Sequence, residues 1–259
     1  MKRALVAAVA FLALGSGAGA KAATAVSSNW AGYAVSGTTY RSVSGTWTQP
    51  AASCASATSS QTASAFWVGL GGDSDATNAL EQTGTEADCA ANGLATYSAW
   101  YELVPAASAK APLKISAGDR ISASVQVAGT SVTVKLRDLT TGRGFTKTLR
   151  MAAPDVSSAE WIAEAPSTIT PVGPTILPLT DFGTVRFTSA TATTTSARTG
   201  TISDSAWSPI RIDLVSAGGG PGPGRGFGPF APAAGGIEAV ASRLAAGGSA
   251  FSIAWSQTG

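Results

Sequence analysis

Residues 158–164 (SAEWIAE) hold the side chains that are best suited to acid–base chemistry in this chain. Side chains of an extended strand alternate between its two faces, so Glu160, Ile162 and Glu164 share one face. Two carboxylates beside an isoleucine are unusual in a chain of which only 12% of the residues are charged. A solvated face is the ordinary explanation for a glutamate in a β-protein. The rest of the composition favours a chemical role for Glu160.

The composition excludes most other catalytic systems. The 259 residues include no histidine, which excludes Ser-His-Asp and Cys-His nucleophiles, histidine bases and histidine-rich zinc sites. Two cysteines cannot form a structural zinc site by themselves, and the chain has no glycine-rich phosphate loop. Acid–base chemistry therefore falls to carboxylates helped by amides or hydroxyls. We expect neither a metal nor another cofactor.

The N-terminus has the pattern of an export signal. The basic residues Lys2 and Arg3 precede an apolar run over residues 4–14, and the small residues that follow predict cleavage after Ala20 or Ala25. The apolar run is too short for an ordinary membrane span, so we expect a secreted monomer without a membrane anchor. Cleavage after Ala20 removes two of the 17 basic residues and leaves 15 against 15 acidic ones. A net charge of zero gives no argument for a nucleic-acid partner.

Export also permits a disulfide bond. Cys54 and Cys89 are the only cysteines of the chain, and oxidising compartments favour their pairing. The alternative is two reduced, buried thiols. A bridge would close a loop that contains Trp67 and Gln82, and the loop-entropy account gives it a stabilising effect of about 4 kcal/mol. We predict that the two cysteines are bridged.

The elements that must position Glu160 are strands. After residue 29, Ser, Thr, Val and Gly abound, and short alternating runs recur between turn signals. Only residues 237–246 (IEAVASRLAA) have a pattern that is also compatible with a short helix. Four prolines predict a loop over residues 165–178, and dense glycine and proline predict a surface insertion over residues 217–236. The pattern indicates a single all-β domain over residues 26–259, either a β-sandwich or a barrel.

Five short motifs occur in a fixed order along the chain: SNWAGY at 28–33, FWVGL at 66–70, LEQTG at 80–84, AWYE at 99–102 and AEWI at 159–162. The ordered set resembles the glutamic peptidases, also called eqolisins. The resemblance implies two antiparallel sheets packed as a concanavalin A-like sandwich. It also implies that the chain cleaves proteins or peptides at acidic pH with a glutamine and a glutamate.

The resemblance assigns roles to particular residues. The catalytic pair corresponds to Gln82 and Glu160, and alternation places Glu81 on the opposite face from Gln82. Four further positions match residues around the family's substrate cleft: Trp30, Trp67, Trp100 and Glu102. The run LGGD at 70–73 departs from the fungal members, which have an aspartate near the second glycine. This departure indicates the bacterial branch of the family.

These residues support a specific hypothesis for peptide hydrolysis. Glu160 acts as general base toward a water that it holds jointly with Gln82, and the Gln82 amide donates to the developing oxyanion. Protonated Glu160 then passes its proton to the leaving amine. A glutamate with a pKa of about 4.3 is partly ionised near pH 4, so we expect an acidic working range.

A carbohydrate-active sandwich is the alternative. In a glycoside hydrolase, Glu160 and Glu102 would act as acid and nucleophile, with carboxyl groups about 5 to 5.5 Å apart. In a non-catalytic lectin the tryptophans would bind the ligand and Glu160 would be incidental. A Gln82–Glu160 pair that shares a water, with Glu102 set back, favours the peptidase.

Overall fold

The computed structural model describes residues 21–54, 61–73, 77–170, 173–216 and 236–256. The proposed signal segment up to residue 20 and most of the insertion, residues 217–235, lie outside these ranges. The described part of the chain contains no helix of the length and apolarity that a membrane span requires. Its regular secondary structure consists of strands.

The described residues form eighteen strands, numbered in chain order: β1 (Ala23–Ser27), β2 (Trp30–Ser36), β3 (Tyr40–Thr48), β4 (Ala65–Gly71), β5 (Leu80–Cys89), β6 (Ala95–Val104), β7 (Ala109–Ala111), β8 (Arg120–Ala128), β9 (Ser131–Asp138), β10 (Gly144–Arg150), β11 (Ala159–Glu164), β12 (Ser167–Thr170), β13 (Gly173–Ile176), β14 (Thr184–Thr194), β15 (Thr199–Thr201), β16 (Ser208–Val215), β17 (Ile237–Ala241) and β18 (Phe251–Trp255).

The strands form a two-layered antiparallel sandwich. One layer has the order β10-β9-β8-β3-β14 and the other has the order β16-β2-β11-β4-β5-β6-β7, and β18 and β17 continue the hydrogen-bonded path between them. β3 and β8 of the first layer pack against β4 and β5 of the second. β1 adds to β16 in the parallel direction. The predicted all-β sandwich is therefore confirmed.

Alternation of side chains determines which residues fill the space between the layers. Along β8 and β9 every second residue is buried, in agreement with the period of a strand that has one face on a core. The large rings of this core include Trp47, Trp161, Phe66 and Phe187. Burial of each such side chain stabilises the fold by roughly 1.5 to 3 kcal/mol. A second apolar cluster lies on the outer face of the other layer, around Trp67.

The structure decides one alternative that the sequence left open and corrects one local prediction. Residues 237–241 form β17, because they pair on one side with β16 and on the other with β18; sheet pairing overrides a weak helical pattern. Within the predicted loop at 165–178, β12 and β13 form a small hairpin in which Ile169 pairs with Pro174. Proline is tolerated there because a two-stranded hairpin leaves one side of each strand without a ladder partner.

The predicted disulfide is confirmed. Cys54 and Cys89 are bonded, with their Cα atoms 5.5 Å apart. Cys89 is the last residue of β5, the strand that also carries Gln82. The bond therefore attaches the segment after β3 to the far end of the strand that supplies one candidate catalytic residue.

Candidate active site

Glu160 and Gln82 lie on one face of the second layer, two strands apart. Glu160 of β11 pairs with Gly69 of β4, and Gly69 pairs on its other side with Gln82 of β5. Directly paired residues project to the same face of a sheet, so both side chains extend from the outer face across Gly69. Strands lie about 4.8 Å apart, which puts the two Cα atoms roughly 10 Å from each other. The two side chains extend from the same face on either side of Gly69.

The Glu160 carboxyl is buried in the middle of the sheet. β11 has β2 on one side and β4 on the other, and all six of its residues are buried. Neither carboxyl oxygen of Glu160 has a hydrogen-bond partner among the described residues. Burial raises its pKa well above the usual range; the Ser158 hydroxyl opposes this rise, and the carboxyls of Asp73, Asp155 and Glu81 add to it. The expectation that Glu160 ionises with an ordinary pKa is therefore wrong for the unliganded protein.

Gln82 is held by the carboxyl group that the sequence placed in the cleft. Its Nε2 donates to Glu102 Oε2 over 2.7 Å, and the two residues are directly paired between β5 and β6. The second N–H of the same amide stays available, and Oε1 has no partner in the described part of the chain. Burial raises the pKa of Glu102, although the hydrogen bond from Gln82 opposes that rise. Glu102 thus fixes the amide and leaves donor and acceptor capacity for a ligand.

Gly69 lies between the two candidate catalytic residues and adds no side chain of its own to this face. A Cβ atom at this position would lie 2.9 Å from Trp67 Cζ3 and 3.1 Å from Leu80 Cδ1. The indole of Trp67 and the side chain of Leu80 therefore pack directly over Gly69, and a larger residue there would displace them. The sequence analysis did not identify Gly69, although a glycine inside a strand often marks a close approach by a ligand.

Glu164 orients the tryptophan that packs over Gly69. Its Oε2 accepts from Trp67 Nε1 over 2.7 Å and its Oε1 accepts from Asn29 Nδ2 over 3.2 Å. The Trp67 ring in turn meets Trp30 edge to face, with ring centroids 5.0 Å apart. Burial raises the pKa of Glu164 to about 8, against the opposing hydrogen bonds, so it holds the indole as a neutral acid at acidic pH. Alternation from Glu160 was the signal that placed Glu164 on this face.

Unpaired polar atoms gather on this outer face. Besides both Glu160 oxygens and Gln82 Oε1, the indole N–H of Trp100 has no partner among the described residues, and Trp100 is 95% buried. Buried polar groups are ordinarily hydrogen-bonded, and groups that are not call for an explanation. The backbone of an extended peptide offers both the donors and the acceptors that these atoms lack.

All six residues that the resemblance assigned lie on this face. Trp30, Trp67 and Trp100 belong to its apolar cluster, and Glu102 adjoins Gln82. Glu160 and Glu102 are separated by Gly69 and Gln82, three strand spacings or roughly 14 Å between Cα atoms. Gln82 therefore lies between the two glutamates. This arrangement differs from the two neighbouring carboxyl groups that a retaining glycosidase requires.

The sequence matches the profile of the Peptidase A4 family over residues 28–216. The chain belongs to this family. It is 34% identical to aspergillopepsin-2 of Aspergillus niger over 188 residues, which is 64% of each chain, and 40% identical to scytalidopepsin B of Scytalidium lignicola over 130 residues, 49% of this chain and 46% of that one. The chain thus spans less than two thirds of the length of these curated relatives. Both come from fungi, and membership of a bacterial branch stays a prediction.

Solved structures of the Peptidase A4 family share the fold. A scytalido-glutamic peptidase with a peptide-based transition-state analogue has a TM-score of 0.68 at 26% identity, over 88% of this chain and 98% of that one. The eqolisin SCP-B in complex with the tripeptide Ala-Ile-His has a TM-score of 0.66 at 25% identity, with the same coverage. Both solved proteins hold peptide-like ligands.

Proposed function

We propose that this protein is a secreted glutamic endopeptidase that hydrolyses peptide bonds with Glu160 and Gln82. The observation that carries the proposal is the row Glu160–Gly69–Gln82 across three adjacent strands. It combines a buried carboxyl without a hydrogen-bond partner among the described residues, a glycine without a side chain and a fixed amide on one face. Family membership and the peptide-like ligands of the solved relatives support peptides as the substrate class.

In the proposed reaction one water and one peptide bond lie between the Glu160 carboxyl and the Gln82 amide. The Glu160 carboxylate takes a proton from the water, whose oxygen bonds to the carbonyl carbon. The carbonyl oxygen gains the negative charge and accepts from the free N–H of Gln82, which serves as oxyanion donor. Glu160 then gives its proton to the amide nitrogen as the carbon–nitrogen bond breaks. The products are an acid and an amine, and Glu160 is again a carboxylate.

The raised pKa of Glu160 has a consequence for this cycle. A completely buried carboxyl beside other acidic groups is neutral at acidic pH. Binding of a water and of substrate N–H groups supplies donors to the carboxylate, which lowers the pKa in the complex. We therefore expect the acid limb of kcat/KM, which reports the free enzyme, to lie above pH 4.5 and above the corresponding limb of kcat.

The test is the activity of two substitutions on an internally quenched peptide at acidic pH, with pepstatin present to suppress contaminating aspartic peptidases. Glu160→Gln removes the base without changing side-chain size, and we expect kcat/KM to fall by about 1,000-fold or more. Gln82→Ala removes the oxyanion donor, and we expect a loss of about 100- to 1,000-fold. Glu238→Gln is the control, because Glu238 lies in β17, outside the row. Wild-type cleavage by either site variant would overturn the assignment.

The structure also supports one of the two processing sites. β1 (Ala23–Ser27) is hydrogen-bonded to β16, and Ser27 Oγ accepts from the backbone N–H of Asn29 and of Trp30. Cleavage after Ala25 would remove three residues of this strand, whereas cleavage after Ala20 leaves it intact. We propose export with cleavage after Ala20. N-terminal sequencing of the secreted protein should begin at Lys21; a start at Val26 would contradict this proposal.

A further inference from the structure

Two buried acidic side chains lie behind the catalytic row and take no part in the proposed reaction. Glu81 precedes Gln82 in β5, and its pairing with Leu70 places its side chain between the two layers. It is completely buried. Asp155 is 94% buried and lies in the segment that leads into β11. Each group is thus close in sequence to one of the two candidate catalytic residues.

Hydrogen bonds connect these two groups. The backbone N–H of Asp155 donates to Glu81 Oε1 over 3.1 Å. Asp155 Oδ1 accepts from the Ser157 N–H over 2.9 Å, and its Oδ2 accepts from Thr77 Oγ1 over 3.0 Å. Through these contacts the strand that carries Gln82 holds the segment that leads to Glu160.

A glycine in β4 makes room for the Asp155 side chain. A Cβ atom on Gly71 would lie 2.5 Å from Asp155 Cβ and 3.0 Å from Asp155 Cγ. The Asp155 side chain therefore occupies the place that a side chain at position 71 would need. The Gly71 N–H also donates to the carbonyl of Ser158 over 3.2 Å. β4, β5 and the start of β11 are thus joined next to the row Glu160–Gly69–Gln82.

The protonation state of Glu81 matters to this arrangement. Burial raises the pKa of Glu81 to about 8; the hydrogen bond from the Asp155 backbone opposes this rise and the Asp155 charge adds to it. Its Oε2 has no partner among the described residues. The carboxyls of Asp73, Asp155 and Glu81 raise the pKa of Glu160, and the Glu160 charge in turn raises the pKa of Tyr40. A charge on Glu81 would therefore be added to an acidic environment.

We propose that Glu81 and Asp155 form a positioning pair that fixes Glu160 relative to Gln82, and that the pair holds this geometry only while Glu81 carries its proton. The inference rests on the proposed function, because it assigns the pair a task in that reaction. Neither residue contacts the reacting atoms. When Glu81 loses its proton, repulsion from Asp155 and Glu160 displaces the segment that carries Glu160, and turnover falls.

Three variants of the full chain test the pair through kcat and KM on the same quenched peptide. Glu81→Gln keeps an acceptor for the Asp155 N–H but cannot ionise. Glu81→Met keeps the length and removes the acceptor. Glu238→Gln is the matched control, since burial raises the pKa of Glu238 in a strand away from the row. Rates are measured at 20 °C at pH 4 and at the highest pH at which circular dichroism shows all proteins folded.

We expect Glu81→Gln to keep kcat at pH 4 within threefold of wild type, and its ratio of kcat at high pH to kcat at pH 4 to be at least threefold larger. Glu81→Met should lower kcat at pH 4 at least tenfold with KM within twofold. The control should change neither quantity. A role in stability alone would leave kcat per folded molecule unchanged.

A wild-type ratio in Glu81→Gln overturns the proton requirement, and a wild-type kcat in Glu81→Met overturns the positioning role. If Glu81→Met does not fold, the ratio in Glu81→Gln decides by itself. The activity of Glu160→Gln distinguishes a failure of the proposed function from a failure of the positioning role of Glu81 and Asp155. An active Glu160→Gln defeats the proposed function, whereas an inactive Glu160→Gln together with wild-type Glu81 variants defeats only this inference.

Discussion

Gly69→Ala tests the geometry of the site with a single methyl group. The new Cβ atom would lie 2.9 Å from Trp67 Cζ3, 3.1 Å from Leu80 Cδ1 and 3.2 Å from the backbone oxygen of Glu81. The indole cannot yield easily, because Glu164 holds its N–H over 2.7 Å. Overpacking of this kind destabilises a protein by about 1 to 3 kcal/mol.

The effect of Gly69→Ala on activity should exceed its effect on stability. The methyl group pushes against Trp67 and Leu80 between Glu160 and Gln82, and a displacement of about 1 Å in a reacting group costs roughly 100-fold in rate. We therefore expect kcat/KM on a quenched peptide at pH 4 to fall by about 100-fold or more. Thermal unfolding measured on the same sample gives the folded fraction.

Gly144→Ala is the matched control for the glycine substitution. A Cβ atom at Gly144 would lie 3.2 Å from the backbone oxygen of Leu136, the same crowding that Gly69 would meet at the Glu81 oxygen. Gly144 belongs to β10 at the edge of the other layer. Its substitution should leave kcat/KM within twofold of wild type. If Gly69→Ala is folded and cleaves within threefold of wild type, the packing over Gly69 does not position Glu160 and Gln82 and our account of the site is refuted.

Three further predictions concern stability and the wall of the cleft. Burial raises the pKa of Glu81 and Glu164 to about 8 and that of Asp88 to about 7, so the folded state holds protons that the unfolded chain releases; the stability that this provides is complete below about pH 4 and is lost as the pH rises through 7 to 8. The Tm should therefore fall steeply between pH 5 and pH 8, and a Tm that is constant or rises over this range would contradict the buried neutral carboxyls. Glu164→Gln stays neutral at every pH but offers one acceptor oxygen to the two donors Trp67 Nε1 and Asn29 Nδ2, so its Tm relative to that of wild type should be higher at pH 7 than at pH 4; an equal Tm difference at both values would count against a titrating Glu164. Replacement of both cysteines of the Cys54–Cys89 bond, which are 35 residues apart, by serine should lower the free energy of unfolding by about 4 kcal/mol, as urea denaturation can measure, and a loss below 1 kcal/mol would contradict the loop-entropy estimate.

The sequence predicts which face of a strand each side chain occupies better than it predicts which strands bury that side chain. Alternation placed Glu160 and Glu164 together and Glu81 opposite Gln82, and the structure has each of these arrangements. The ordinary pKa expected for Glu160 was wrong, because its burial depends on β2, whose pairing with β11 joins residues more than 120 positions apart. Local patterns contain no information about such neighbours.

The residues that the sequence did not indicate matter either because they lack a side chain or because they contact a residue that is distant in sequence. Gly69 matters because it has no side chain, and it lies in a strand of otherwise apolar residues. Asp155 is unremarkable in sequence, and its contact with Glu81 appears only when the segment before β11 folds over β4 and β5. The strand at 237–241 was likewise decided by its partners β16 and β18, since its own residues are compatible with a helix.

The joint action of Glu160 and Gln82 on one water is tested most directly by kcat/KM of the double variant Gln82→Ala/Glu160→Gln beside the two single variants. Residues that act as one unit give strongly non-additive losses. We predict that the double variant is no more than threefold worse than Glu160→Gln alone. A loss equal to the product of the two single losses would show that the two side chains act independently and would contradict the account.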